Sequence, residues 1–274
     1  MNSFTAGWLR DSWKRWIAWL VLASIFAVAC VFLSQWQFSR RAEAVSRIEL
    51  VQNNYNQPAI MFESLADTFT PLDEWRPVTL EGKFLPDSAV LVRNKPYNGV
   101  AGFLQVVPFE TTSGKLVAVE TGWLPSGNAQ DSPDLIPLPD DQPTTVWGRF
   151  RLAEPTFDRE APAGQLATIN VGSLVAETGI SADIYSDFYV RLAEGYDPAA
   201  KLPKILPMPE LGEGNHLSYA MQWILFALMA FGALAWAVRQ ELLIRREQAD
   251  PNFKRVKRAK VGDADKAAED SAIS

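Results

Sequence analysis

Histidine and cysteine are nearly missing from this chain: 274 residues contain one of each. Cys30 lies inside an uncharged apolar run, so the rest of the sequence can form neither a disulfide nor a thiolate zinc centre of the usual kind. No Cys–His nucleophile pair can form outside that run, and His216 alone would have to serve any Ser-His-Asp arrangement. A glycine-rich phosphate loop is also lacking. Gly212-Glu213-Gly214 precedes an apolar run instead of following a strand, which is the wrong context for a nucleotide fingerprint. The densest carboxylate group is Glu154, Asp158 and Glu160. Paired carboxylates can do acid–base work, but on a polar loop they read as a solvated acidic face. No catalytic residue is assigned, and the chain does not read as an enzyme.

Charge is missing from two long stretches, and these organise the molecule. Residues 16–33 and 217–238 are uncharged runs of 18 and 22 residues. About 20 such residues in a helix cross a hydrocarbon core of roughly 30 Å. A buried core helix is the alternative for either run, and length disfavours it. A cleavable signal peptide is the rival for the first, with Ala27-Val28-Ala29-Cys30 hinting at lipoprotein processing. That run is longer than an ordinary signal core and carries tryptophans, so it is read as a retained anchor.

Lysine and arginine are absent from 205–216, whereas Arg239, Arg245, Arg246, Lys254, Arg255, Lys257 and Arg258 follow the second run. Basic flanks stay on the cytoplasmic side. Arg10, Lys14 and Arg15 precede the first run and Arg40, Arg41 and Arg47 follow it, which is ambiguous alone. Two spans and an inside C-terminus then place the N-terminus inside too. The expected organisation is a cytoplasmic segment 1–15, a transmembrane helix 16–34, an extracytoplasmic β-rich domain 35–216, a transmembrane helix 217–238 and a cytoplasmic basic tail 239–274, expected to be disordered at its end. The location is a bacterial plasma membrane. Residues 40–214 carry 14 Lys plus Arg against 24 Asp plus Glu, a net −10 that argues against nucleic acid as a partner. The basic tail would attract anionic lipid headgroups of the bilayer.

Between the runs, Ala42, Val45, Ile48 and Val51 keep helical spacing, so the first helix should continue beyond the membrane. From Trp75 the period becomes strand-like. Segments 76–84, 89–94, 102–110 and 115–122 are separated by Leu85-Pro86-Asp87, Tyr97-Asn98-Gly99 and Thr112-Ser113-Gly114, which predicts an antiparallel meander. A Pro-rich loop 125–143, a strand 144–152, a short helix 171–178 capped by Asn170 and ended by Gly179, and a strand 188–193 follow. The fold expected is a mainly antiparallel, β-barrel-like α+β domain between two transmembrane helices.

At about 100° per residue, His216, Tyr219, Ala220, Trp223, Ala227 and Ala230 share one face of the second helix. A neutral imidazole is a good axial ligand for haem iron, aromatics can flank a planar ring, and alanines leave room for an apolar tail or another helix. The competing reading is ordinary membrane-helix architecture. Tyr and Trp populate interfacial belts, small faces pack helix on helix, and a first-turn histidine can simply bond a neighbour. Ala23, Ala27, Cys30 and Ser34 offer a matching small face on the first helix.

Trp36-Gln37-Phe38-Ser39-Arg40 resembles the W-Q-x-x-R motif of the surfeit-locus protein 1 family of cytochrome c oxidase assembly factors. The segment 76–84 resembles the family's first sheet strand, Gly102-Phe103 through Pro108 its G-[YF]…P segment, and Gly122-Trp123-Leu124-Pro125 its G-W-[VL]-P. Asn215-His216-Leu217-Ser218-Tyr219-Ala220 with Trp223 resembles its N-H-L-x-Y-A-x-x-W motif. The matches are in family order over roughly 33–240. Glu120-Thr121 departs from the family's usual Asn-Arg, and a Lys common shortly after W-Q-x-x-R is missing. The resemblance implies a non-enzymatic role: helping haem a reach subunit I of a haem-copper oxidase, alongside other assembly factors. It implies His216 alone as a haem-iron ligand; Tyr219 and Trp223 are cofactor-flanking candidates from the shared helix face. The alternatives are an assembly scaffold that binds oxidase subunits without contacting cofactor, and an unrelated membrane-tethered ligand-binding domain.

Overall fold

The computed structural model describes residues 4–128, 131–157, 160–180, 183–193 and 203–249, with side chains from Trp13 onward. Asp158 and the tail residues Lys254, Arg255, Lys257 and Arg258 lie outside the described residues, as does the side chain of Arg10. Two compact units emerge. One contains the chain up to Glu43 and from Glu213 onward; the other is Ala44–Gly212.

The first unit is helical. It holds helix α1 (Phe4–Asn54) as far as Glu43, and α4 (His216–Ala249). From Trp8 to Gln57 there is neither glycine nor proline, so nothing interrupts the hydrogen-bond ladder of α1. At about 1.5 Å per residue α1 is roughly 77 Å long, well beyond a bilayer core. The expected continuation past residue 34 is therefore present, to Asn54. Both helices contain a window long and apolar enough to cross a membrane. Side chains such as Ile25, Phe32 and Leu228 are 62–67% exposed, apolar surface without protein cover. The exceptions mark the helix–helix seam: Cys30, Ser34 and Ala220 are buried, and Ser34 Oγ donates to the Ala220 carbonyl at 3.1 Å. The small face read from Ala23, Ala27, Cys30 and Ser34 is the less exposed side of that stretch.

The second unit is a mixed eight-stranded sheet. Its strands are β1 (Ile60–Met61), β2 (Pro77–Phe84), β3 (Val90–Val92), β4 (Gly102–Thr111), β5 (Leu116–Pro125), β6 (Thr144–Leu152), β7 (Gln165–Leu166) and β8 (Phe188–Leu192), in the order β1-β2-β6-β8-β5-β4-β3-β7. A further β2–β4 pairing joins Gly82–Phe84 to Phe109–Thr111, so pairings run in a circuit through β2, β6, β8, β5 and β4. The antiparallel meander expected from the turns holds only for β3, β4 and β5. Pairings β1–β2, β3–β7 and β5–β8 are parallel. Parallel partners need crossovers and leave no hairpin signal in sequence.

Alternation survives in β2 and β6, which bury Val78, Leu80, Val146 and Phe150. Strands β4 and β5 are buried almost throughout. One face packs Val107, Phe109, Val117 and Val119 into a core with Phe62, Phe84, Phe150 and Phe188. The other packs Leu104, Val106, Ala118 and Trp123 against Ile169, Leu174 and Tyr189. Leu174 belongs to α3 (Val171–Thr178); the short helix α2 is Glu63–Ala66. The Asn170 side chain accepts from the Ser173 amide at 3.0 Å and Gly179 closes the helix at φ 66°, as the sequence predicts.

Candidate functional site

The site expected from sequence begins at the entry to α4. Gly214 has φ 69°, a left-handed conformation that a side chain resists, and it turns the chain into the helix. His216 follows as the first helical residue, half-buried, with Nδ1 2.9 Å from Gln37 Oε1. Gln37 stands on α1 three residues past Ser34, whose hydroxyl reaches the Ala220 carbonyl. Four residues further along α1, Arg41 makes an exposed 2.9 Å ion pair with Glu213. Three polar rungs therefore cluster at this end of the helix pair: Ser34 to Ala220, Gln37 to His216, and Arg41 to Glu213 just before α4. The outermost contributes at most about 1 kcal/mol, being solvated. The inner two are more directional, because they lie where less water competes.

The face read from spacing is divided by the structure. Ala220 is fully buried in the seam, and Trp223, Ala227 and Ala230 are half-buried. Tyr219 is 50% exposed and lies at the edge of that face, about 60° from His216. The Trp223 ring meets Phe226 edge-on at 5.7 Å. Of the residues in the W-Q-x-x-R resemblance, only Gln37 turns to His216. Trp36 is half-exposed, and Arg40 lies 5.8 Å from its ring centroid and pairs with Glu43.

Among the described residues no three His, Cys, Asp or Glu side chains converge as a metal cage would require. What is present is one imidazole whose Nε2 edge lies beside a glycine: a Cβ on Gly214 would stand 3.5 Å from Nε2 and 3.4 Å from Cδ2. A single imidazole fits a macrocyclic iron, which brings its other ligands with it, better than a bare ion. The apolar cavity of about 690 Å³ among Trp16, Trp19, Phe26, Ala230, Ala233 and Ala237 is elsewhere, at least fourteen residues or roughly 21 Å further along α4.

The carboxylate group expected on a polar loop is a structural anchor at Glu154. Lys95 Nζ donates to both of its oxygens at 2.7 and 2.9 Å, and the Ile169 amide donates to Oε2 at 3.0 Å. Glu160 is exposed. The unusual Glu120-Thr121 pair marks a feature invisible in sequence. Gln105 faces Gly122 and Val106 faces Glu120, leaving Thr121 as the extra residue of a β-bulge. Thr121 Oγ1 donates to Gln105 Oε1 at 2.6 Å. Glu120 is buried opposite Arg191 on β8, whose Nε lies 2.9 Å from Oε1 and 3.0 Å from Oε2, the latter with hydrogen-bond geometry. Burial opposes the charge on Arg191, but Glu120 outweighs it and holds the guanidinium above its ordinary range.

The SURF1 family model matches residues 24–228, a segment that contains both Gln37 and His216. The chain is 28% identical over 242 residues to uncharacterized SURF1-like proteins of Mycobacterium bovis and Mycobacterium tuberculosis, an overlap of 85% of this chain and 87% of each relative. It is 25% identical over 218 residues to a SURF1-like protein of Rickettsia felis, covering 76% of this chain and 91% of that one.

Proposed function

The chain belongs to the SURF1 family, and on that premise we propose that it is a non-enzymatic, membrane-anchored factor of cytochrome c oxidase biogenesis that helps haem a reach subunit I. His216 is the proposed contact for the haem iron, with Tyr219 and Trp223 beside it. The observation that carries this reading is the placement of the sole imidazole in 274 residues at the first position of α4, with its Nδ1 2.9 Å from Gln37 Oε1. Haem would supply an iron that an imidazole nitrogen can ligate. His216 would hold it, Tyr219 would flank it from the exposed edge, and Ala220 lets the helices close beneath it. A single protein ligand suits cargo that must leave. We read both termini as cytoplasmic, and the closed circuit of five paired strands as a small barrel outside the membrane.

Purification of the full chain in mild detergent from a host that makes haem a tests the proposal. Wild type should carry pigment, and His216→Ala should lose most of it while reaching the membrane at the same level. In the cell, loss of the protein should lower aa3-type oxidase activity and haem a content and spare b- and c-type haems. Unchanged pigment in His216→Ala, with oxidase activity still dependent on the protein, would favour a scaffold that binds oxidase subunits only.

A further inference from the structure

We infer that Gln37 is a positioning residue that keeps the proton of His216 on Nδ1, so that the lone pair sits on Nε2. The inference deepens the proposed haem contact, and rests on it for its purpose but not for its geometry. An amide oxygen can only accept, so the 2.9 Å contact between Gln37 Oε1 and His216 Nδ1 requires a hydrogen on Nδ1. A neutral imidazole has one N–H, which leaves Nε2 as the acceptor and potential ligand. Nε2 lies on the ring edge next to Gly214, where a Cβ would come to ordinary contact distance, 3.5 Å. The contact thus selects Nε2 as the nitrogen without the proton, through a residue of α1 acting on the first residue of α4.

The geometry around Gln37 makes this more than a chance approach. The Ser34–Ala220 rung stands on one side of it and the Arg41–Glu213 rung on the other, so the two helices are held in register where Gln37 reaches across. The opposite amide orientation would present its NH2 to Nδ1, place the ring proton on Nε2 and remove the ligating lone pair. Ligating histidines characteristically donate their second N–H to an acceptor, which fixes the ring and raises its basicity. A neutral amide raises it less than a carboxylate would, which suits a ligand that must release its iron.

The single histidine makes the inference directly readable. In full-length apo-protein labelled with ¹⁵N-histidine in detergent, the imidazole gives one pair of nitrogen signals, recorded up a pH series until they no longer move. Wild type should show the Nδ1–H form. Gln37→Leu, which removes the acceptor, should shift the ring toward Nε2–H, and Gln37→Glu should restore Nδ1–H. An Nε2–H ring in wild type, or an Nδ1–H ring that persists in Gln37→Leu, overturns the inference. The wild-type spectrum decides even if Gln37→Leu fails to accumulate. With haem added, Gln37→Leu should weaken retention roughly tenfold or more, and Gln37→Glu should hold haem more tightly at a lower midpoint potential. If His216→Ala binds haem like wild type while the tautomer responds to Gln37, the haem reading fails and the positioning role stands.

Discussion

At the residue scale, two polar pairs matter, and they do opposite things. Gln37 and His216 are half-buried, and their contact sets a proton position; its net contribution to stability is about 1 kcal/mol. Tyr219→Ala should therefore weaken haem retention less than His216→Ala, through lost stacking and not lost ligation, and Trp223→Ala likewise; pigment per protein in purified variants measures the order. Glu120 is buried and Arg191 half-buried, and they hold strands β5 and β8 together from directly opposed positions. Removing one partner strands a charge, so Glu120→Ala should cost about 3–5 kcal/mol in denaturant unfolding. Replacing both partners with apolar residues of similar volume should recover much of that loss. A small effect of Glu120→Ala would mean the pair is better solvated than its burial indicates.

At the element scale, legibility followed locality. Strand Thr144–Leu152 and helix Val171–Thr178 have the bounds that alternation and capping predict, because turn and cap chemistry act within a few residues. The Asn170 cap should be worth about 0.5–2 kcal/mol. Asn170 also donates from Nδ2 to the Glu154 carbonyl at 3.0 Å, so Asn170→Ala should fall in the upper part of that range, and Asn170→Asp, which keeps only the cap, below it. Chemical denaturation of the two variants separates the cap from the loop anchor. Strands β1 and β7 left no readable trace. Each is two residues long and pairs in parallel with a strand remote in sequence, Ile60 with Val78 and Leu91 with Gln165. No alternation can develop over two residues.

At the scale of the whole molecule, the two apolar helices and their flanking charges predict where each region resides. Alkaline phosphatase fused after Pro125, on the sheet unit, should be active; fused after Arg246, beyond the second apolar stretch, it should be inactive. Activity at both sites or the reverse pattern would refute two spans with an inside C-terminus. A mature chain beginning at Cys30 would instead mark a processed lipoprotein.

The sequence alone determined the two long apolar stretches, the switch from helical to strand period at Trp75, the cap of α3 and the candidacy of its only histidine. All of these depend on composition or spacing within one or two turns of chain. Tertiary structure decided what those residues meet. It turned the expected meander into a mixed sheet through three parallel pairings, and it buried Glu120 against Arg191. It also set Gln37 against His216 across 179 positions of chain. The physical reason is common to all three. A parallel ladder, a buried ion pair and a bond between helices join groups distant in sequence, so no period or motif within either partner encodes the meeting.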